Sequence, residues 1–315
     1  MPKPTKIILI ASAFCLVSGL VLGCIGAAFG GIRVVSIGWD HGLRVLDPED
    51  FIREEESLDI SKPINQLSLD VSACELTIKE GVKFNVTVYY SKVYWSYKYS
   101  LDDTKGALDI SLSASLGTPI EFGFYFASPN ERIAQLVITI PRSTTFSEAD
   151  ITCNAASVDL SGLKADKLSL YLNACSFYGK AIACQELVLH MNAGYMQLDD
   201  IVAADSASIS LNAGDLNIND SSFSNLGFDM QAGAAYYQGK LGGVNDFGIT
   251  AGYLEIELKQ AEDDIDFRYE VGLGDLSIND RSFTGMSSGG NAGSRNADVR
   301  VSINVEFGSV NVTTR

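Results

Sequence analysis

Three pairs of oxygen-bearing side chains stand out: Asp199-Asp200, Asn219-Asp220 and Asn279-Asp280. Carboxylates and amides are the donors that Ca2+ takes, several at a time. Asp199, Asp200, Asn219 and Asp220 are therefore candidate calcium ligands. Two points weigh against them. The glycine-rich nonapeptide of calcium-binding β-rolls is absent, and Asp and Asn also suit turns because they bond to the nearby backbone. A second group is aromatic. Tyr89, Trp95, Tyr97 and Tyr99 share one strand parity. Outward, such rings can stack on sugars or anchor a protein partner; inward, they pack over the end of a core.

Other chemistry is thinly supplied. The only histidines are His41 and His190, and neither has a metal or triad partner by spacing. Six cysteines show no CxxC or zinc spacing. Cys15 and Cys24 lie in the apolar N-terminal stretch, and Cys184 reads as a turn residue. Cys74, Cys153 and Cys175 fall at small or inward strand positions and read as core thiols. Asp159 and Glu255 take outer strand positions, but no Lys or Arg recurs beside them. A polysaccharide-cleaving β-helix enzyme needs an acid, a base and a stabilising cation converging in one groove. That enzyme is the weakest of three functional readings. The expectation is a protein that is not an enzyme and carries no cofactor.

What positions these residues is a repeat. Asn154-Ala155-Ala156, Asn173-Ala174-Cys175, Asn192-Ala193-Gly194 and Asn212-Ala213-Gly214 share one pattern, continued by Gln231-Ala232-Gly233 and Thr250-Ala251-Gly252. The third, small residues are spaced by 19, 19, 20, 19 and 19. Apolar residues alternate on both sides: Leu168, Leu170, Leu172 before one marker, Leu216 and Ile218 after another. Period two is the mark of strands with one buried face. The alternation slips by one at the small residue, which suits a bend there.

Identical residues at identical unit positions favour parallel, in-register stacking. The expected fold is all-β: a parallel β-solenoid of ~19-residue two-strand coils after one N-terminal transmembrane helix. Asn154, Asn173, Asn192 and Asn212 would form a hydrogen-bonded ladder. An antiparallel β-sandwich is the alternative; it explains strand spacing but not the matching columns. Residues 67–148 carry a less regular section with strand-like runs at 84–90, 93–100, 107–114, 120–126 and 135–140. The regular repeat occupies 149–315, and 284–297, rich in Gly and Ser, reads as a loop.

The N-terminus has a different character. Ile7 to Gly30 contains no charged residue. As a helix it would be about 36 Å long, enough to cross a hydrocarbon core of about 30 Å. Residues 1–31 are thus expected to be a transmembrane anchor and 32–66 a juxtamembrane connector. Lys3 and Lys6 favour a cytoplasmic N-terminus, which puts the bulk of the chain outside the cytoplasm as a single-pass membrane protein. Val21-Leu22-Gly23-Cys24 loosely matches a lipoprotein cleavage box, so lipid on Cys24 is an open alternative. All 39 acidic residues lie beyond the anchor, and the net charge is −16. With no basic cluster to neutralise phosphates, nucleic acid is excluded as a partner.

Leu136-Val137-Ile138-Thr139-Ile140-Pro141, Gly214-Asp215-Leu216-Asn217-Ile218, Gly274-Asp275-Leu276-Ser277-Ile278 and Phe307-Gly308-Ser309-Val310-Asn311-Val312 form a set of short motifs. In these the chain resembles the bacterial putative-adhesin family, a domain-of-unknown-function group of cell-envelope proteins. The resemblance covers roughly residues 65–315. It implies a repetitive β architecture and an envelope location, and brings no catalytic residues. The leading reading is an adhesin or structural binding module, with a cell-wall glycan or an envelope protein as partner. An accessory or sensor component of an envelope-stress system is the second reading.

Overall fold

A computed structural model describes residues 51–114, 120–122, 133–284, 288–295 and 297–315, with short pieces at 12, 16–19, 34–38 and 42–46. The chain divides into two compact units. One comprises Met1–Glu54, Tyr90–Tyr94 and Ser115–Arg132; the other comprises Glu55–Tyr89, Trp95–Ala114 and Ile133–Arg315. In the first, Gly42–Leu46, Val34–Gly38 and Ile120–Phe122 form an antiparallel sheet in that order. Phe51 meets Tyr94 there, with ring centroids 6.0 Å apart. The expected anchor over 7–30, with Cys24, lies outside the described residues except for 12 and 16–19. No helix among the described residues is long and apolar enough to cross a membrane.

The second unit is built of strand columns. Gln66–Ser72, Phe146–Asn154 and residues 165–173 pair parallel, with Leu69, Ile151 and Leu170 abreast. After a corner, Glu75–Gly81, Ser157–Ser161 and residues 176–180 pair the same way, with Leu76, Val158 and Phe177 abreast. All six of these side chains are buried. Burying alternate residues in register fixes the pairing, because a slip of one would turn every apolar side chain outward. The central strands are therefore parallel, and antiparallel pairing is confined to the ends of this unit.

The corner changes along the stack. Ala73, Ala155 and Ala174 turn it with φ of 52°, 52° and 53°, whereas Gly194, Gly214, Gly233 and Gly252 use φ of 126°, 115°, 116° and 118°. A Cβ on Gly214 would overlap the carbonyl of Gly194, and one on Gly233 that of Gly214. The glycines are thus required twice, by conformation and by the close approach of backbones.

Each central unit holds three short strands, where two were expected. Residues 202–203 pair with 222–223, and 221–224 with 239–242, as a third column. The extra turn is made by Gly162, Ala181, Asp200 and Asp220, all at positive φ six residues after the marker. It was hidden because no recurring motif marks it: the inward positions step by three there, from Leu198 to Ile201 and from Ile218 to Ser221, but the residue that turns is Gly, Ala or Asp in different units. Asp and Asn tolerate that conformation better than most residues.

The ends also depart from the simple repeat. The C-terminal strand Val299–Val305 lies between Val244–Ile249 and Ile265–Val271, and Ser309–Thr314 between Tyr253–Leu258 and Asp275–Ile278. The last unit in sequence is not the last in space. Asn245, fully buried, fastens this insertion. Its side chain accepts from Leu226 N at 3.0 Å and donates to the carbonyl of Arg300 at 3.1 Å. Antiparallel strands close both ends: Ser288–Gly293 and Arg281–Thr284 at one, Trp95–Asp102 and Phe84–Tyr90 at the other. Reversal at the edge interrupts the parallel template that would otherwise invite further chains.

Two expected boundaries move. Residues 288–293, read as loop, are strand; Gly290 lets it lie against Tyr269, where a Cβ would come 2.6 Å from the ring hydroxyl. The connector ends early, since Glu54–Ile60 is a strand and Asn85 Nδ2 donates to Ser57 Oγ and Asp59 Oδ1 at 3.0 and 2.8 Å. This strand is mostly exposed on both sides, so its sequence carries little alternation.

Candidate binding face

Because the strands are in register, outward residues form rows. On the column after the Asn-Ala corner, Tyr195, Asp215, Ala234 and Tyr253 stand abreast in one row. Gln197, Asn217, Tyr236 and Glu255 form the next. Tyr178 joins this face from the neighbouring strand, its ring 5.8 Å from that of Tyr195. Tyr178 and Tyr253 are 47% and 43% exposed.

Each of three hydroxyls is tied two residues along its own strand. Tyr195 Oη donates to Gln197 Oε1 at 3.1 Å, Tyr253 Oη donates to Glu255 Oε2 at 3.2 Å, and Gln238 Nε2 donates to Tyr236 Oη at 3.1 Å. Gln238 Nε2 also donates to Glu257 Oε2 at 3.1 Å, and that bond holds the Glu257 carboxyl below its ordinary range, with Arg315 assisting. Burial and the adjacent Glu257 push the Tyr236 phenol up. Around Ala234 the face sinks into a depression of about 260 Å3, walled by Tyr195, Tyr236, Tyr253, Asp215 and Asn217. The opposite column carries smaller outward residues. Its one aromatic pair is Tyr171 on His190, stacked at 5.3 Å and 17°. A further depression, about 720 Å3, lies between turns at 59–65, 82–84 and 141–145; its Lys62 is paired with Asp103 at 2.5 Å.

Asn173 Nδ2 donates to Asn154 Oδ1 at 2.7 Å, Asn192 to Asn173, and Asn212 Nδ2 to Asn192 Oδ1 at 2.6 Å. The candidate calcium ligands do not converge on a cation. Asp199 accepts from Asn219 Nδ2 at 2.8 Å and Gln197 Nε2 at 3.0 Å, Asp220 pairs with Lys259, and Asp200 and Asp220 are corner residues at positive φ. Among the described residues no group of three His, Cys, Asp or Glu side chains is arranged for a metal.

The aromatic run does not assemble into one outward face either. Tyr89 lies abreast of Gln135 on one column, while Trp95, Tyr97 and Tyr99 belong to another strand. Trp95 is buried, and Tyr97 and Tyr99 lie across from the buried Leu112 and Ile110, covering the end of the core. Burial pushes the Tyr97 phenol up to about 12, with Glu56 adding to it. Cys74, Cys153, Cys175 and Cys184 are free and buried, and burial pushes Cys74 and Cys184 up to about 12. Cys184 sits within a strand rather than a turn.

The tyrosine face was missed in the sequence, although its signal is there. Tyr195 and Tyr253 stand one residue after a repeat marker, and Tyr178 and Tyr236 stand three after.

Residues 64–313 match the family model described as Toastrack DUF4097. Among solved structures, a "putative cell adhesion protein" from Clostridium sporogenes is similar at 13% identity and a TM-score of 0.25, over 84% of this chain and 100% of that one. A "putative adhesin" from Bacteroides fragilis is similar at 10% identity and a TM-score of 0.31, over 84% of this chain and 97% of that one. No curated protein matches the chain.

Proposed function

The chain belongs to the Toastrack DUF4097 family, and from that premise we propose that it is a non-catalytic binding module of the bacterial cell envelope, built as a capped β-solenoid. Residues 7–30 hold it in the membrane and the solenoid is displayed outside the cytoplasm. The observation that carries this reading is the row of outward tyrosines, held by hydrogen bonds on a rigid strand lattice. Exposed, orientationally fixed aromatics supply contact area with little ordering cost on binding. The uncharged 24 residues before the acidic remainder support the membrane placement.

Display is tested with a Ser176→Cys variant, since Ser176 is exposed and the four described native thiols are buried. A small membrane-impermeant maleimide added to intact cells should label the variant well above the parent chain. Labelling that appears only after lysis would place the solenoid on the cytoplasmic side and overturn the reading.

A further inference from the structure

Resting on the reading of the tyrosine face as a contact surface, we propose that the depression around Ala234 binds an uncharged pyranose unit of a glycan.

The shape comes from one small residue. Tyr195 and Tyr253 stand three strands apart, about 14 Å at normal strand spacing. Only Asp215 and Ala234 lie between them in the row. Sheet packing does not account for that gap: the Tyr178–Tyr195 pair is a cross-strand ring contact, but Tyr195 and Tyr253 are too far apart to be one. The volume of about 260 Å3 is below that of sites for drug-sized ligands and suits a single sugar ring.

The lining matches the two sides of a pyranose. Tyrosine faces carry negative π density, which attracts the slightly positive C–H face of a sugar ring. The sugar's hydroxyls need donors and acceptors together. Asn217 supplies both, Asp215 accepts, and the Tyr195 and Tyr253 hydroxyls, whose protons go to Gln197 and Glu255, accept. Since Tyr195, Tyr236 and Tyr253 are already tethered to Gln197, Gln238 and Glu255, little rotamer freedom is lost on binding.

Charge selects the ligand. Asp199, Asp215, Glu255 and Glu257 share this face, while the neighbouring cations Lys259 and Arg315 are paired with Asp220 and Glu257. An anionic glycan would meet the carboxylates of Asp199, Asp215 and Glu255 and be repelled.

The test is calorimetric titration of the full-length chain in detergent with two probes. One is the neutral N-acetylglucosamine tetramer and the other an oligogalacturonate tetramer. The neutral probe should bind saturably, and the anionic one at least about tenfold more weakly. Ala234→Leu, which fills the depression, and Tyr236→Ala should each weaken the neutral probe about tenfold at unchanged melting temperature. Tyr236→Phe keeps the ring and should retain most of the affinity. Absence of binding by the folded chain would overturn the proposal, as would equal or tighter binding of the anionic probe. So would affinity unchanged by both Ala234→Leu and Tyr236→Ala. A chain labelled at Ser176→Cys on intact cells that binds neither probe would sink the ligand class alone; a chain protected from label would sink the display reading.

Discussion

The two outer faces of the strand stack share one frame and differ in what they show. Both columns bury the same kind of inward row, such as Leu69, Ile151 and Leu170 on one and Leu76, Val158 and Phe177 on the other. Outward, one bears Tyr178, Tyr195, Tyr236 and Tyr253 among amides and carboxylates. In the corresponding stretch the other bears Ser208, Ser210, Gly227, Asp229, Asp246 and Gly248, and its outward rings there are limited, among the described residues, to Tyr171 stacked on His190. Since the fold constrains inward residues equally, the outward difference is not needed to build the stack. It is the part of the molecule free to serve a contact.

Inward and corner changes should damage both faces together. The largest effect is expected for Gly214→Ala, which combines a disfavoured φ with overlap against the Gly194 carbonyl. A loss of about 3–5 kcal/mol in urea unfolding is predicted, from strain and overpacking together. Asn245→Ala comes next, at about 2–4 kcal/mol, because it strips partners from the buried Leu226 amide and Arg300 carbonyl. A midpoint unchanged by either variant would mean the corner or the inserted C-terminal strand is placed differently.

Alkaline pH should act on both faces as well. Burial raises Cys74 and Cys184 to about 12 from an ordinary thiol value of 9.0, and Tyr97 to about 12 from 10.0. A raised folded pKa on an acid means that the folded state keeps the proton longer than the unfolded chain. The stability from the two thiols is complete below about pH 9 and falls as pH climbs from 9 to 12, by up to about 1.4 kcal/mol per unit for each; half-buried Tyr97 adds a smaller, solvent-screened fall above about pH 10. Thermal melting across that range should show the fall, and Cys74→Ala with Cys184→Ala should shallow it.

The smallest effects on stability are expected outward. Tyr253→Ala and Tyr171→Ala should each shift stability by about 1 kcal/mol or less, as exposed substitutions do. They separate the faces only in binding, where Tyr253→Ala alone should weaken the interaction.

Much of this was legible in the residues. The 19-residue spacing, the alternation and the Asn column predicted parallel units, and Asn173 and Asn154 are bonded side by side. Three features were not legible, each for a physical reason. The third strand turns at Asp200 and Asp220, where the inward positions slip by one residue but the turning residue differs from unit to unit and makes no motif. The insertion of Val299–Val305 before Ile265–Val271 depends on which parallel partners meet, and local pattern does not encode that. The tyrosine face is dispersed over 76 positions of sequence, from 178 to 253, and gathers only in register. The dense run at 89–99 is more conspicuous in sequence, but Tyr97 and Tyr99 lie across from Leu112 and Ile110, over the end of the core.

The most direct test of the central claim is sedimentation of the full-length chain with isolated envelope material from its own cells. Tyr195→Ala/Tyr253→Ala should abolish cosedimentation, and Tyr171→Ala should leave it at the parent level. Equal retention of both variants, each melting like the parent, would contradict the assignment of binding to the tyrosine face.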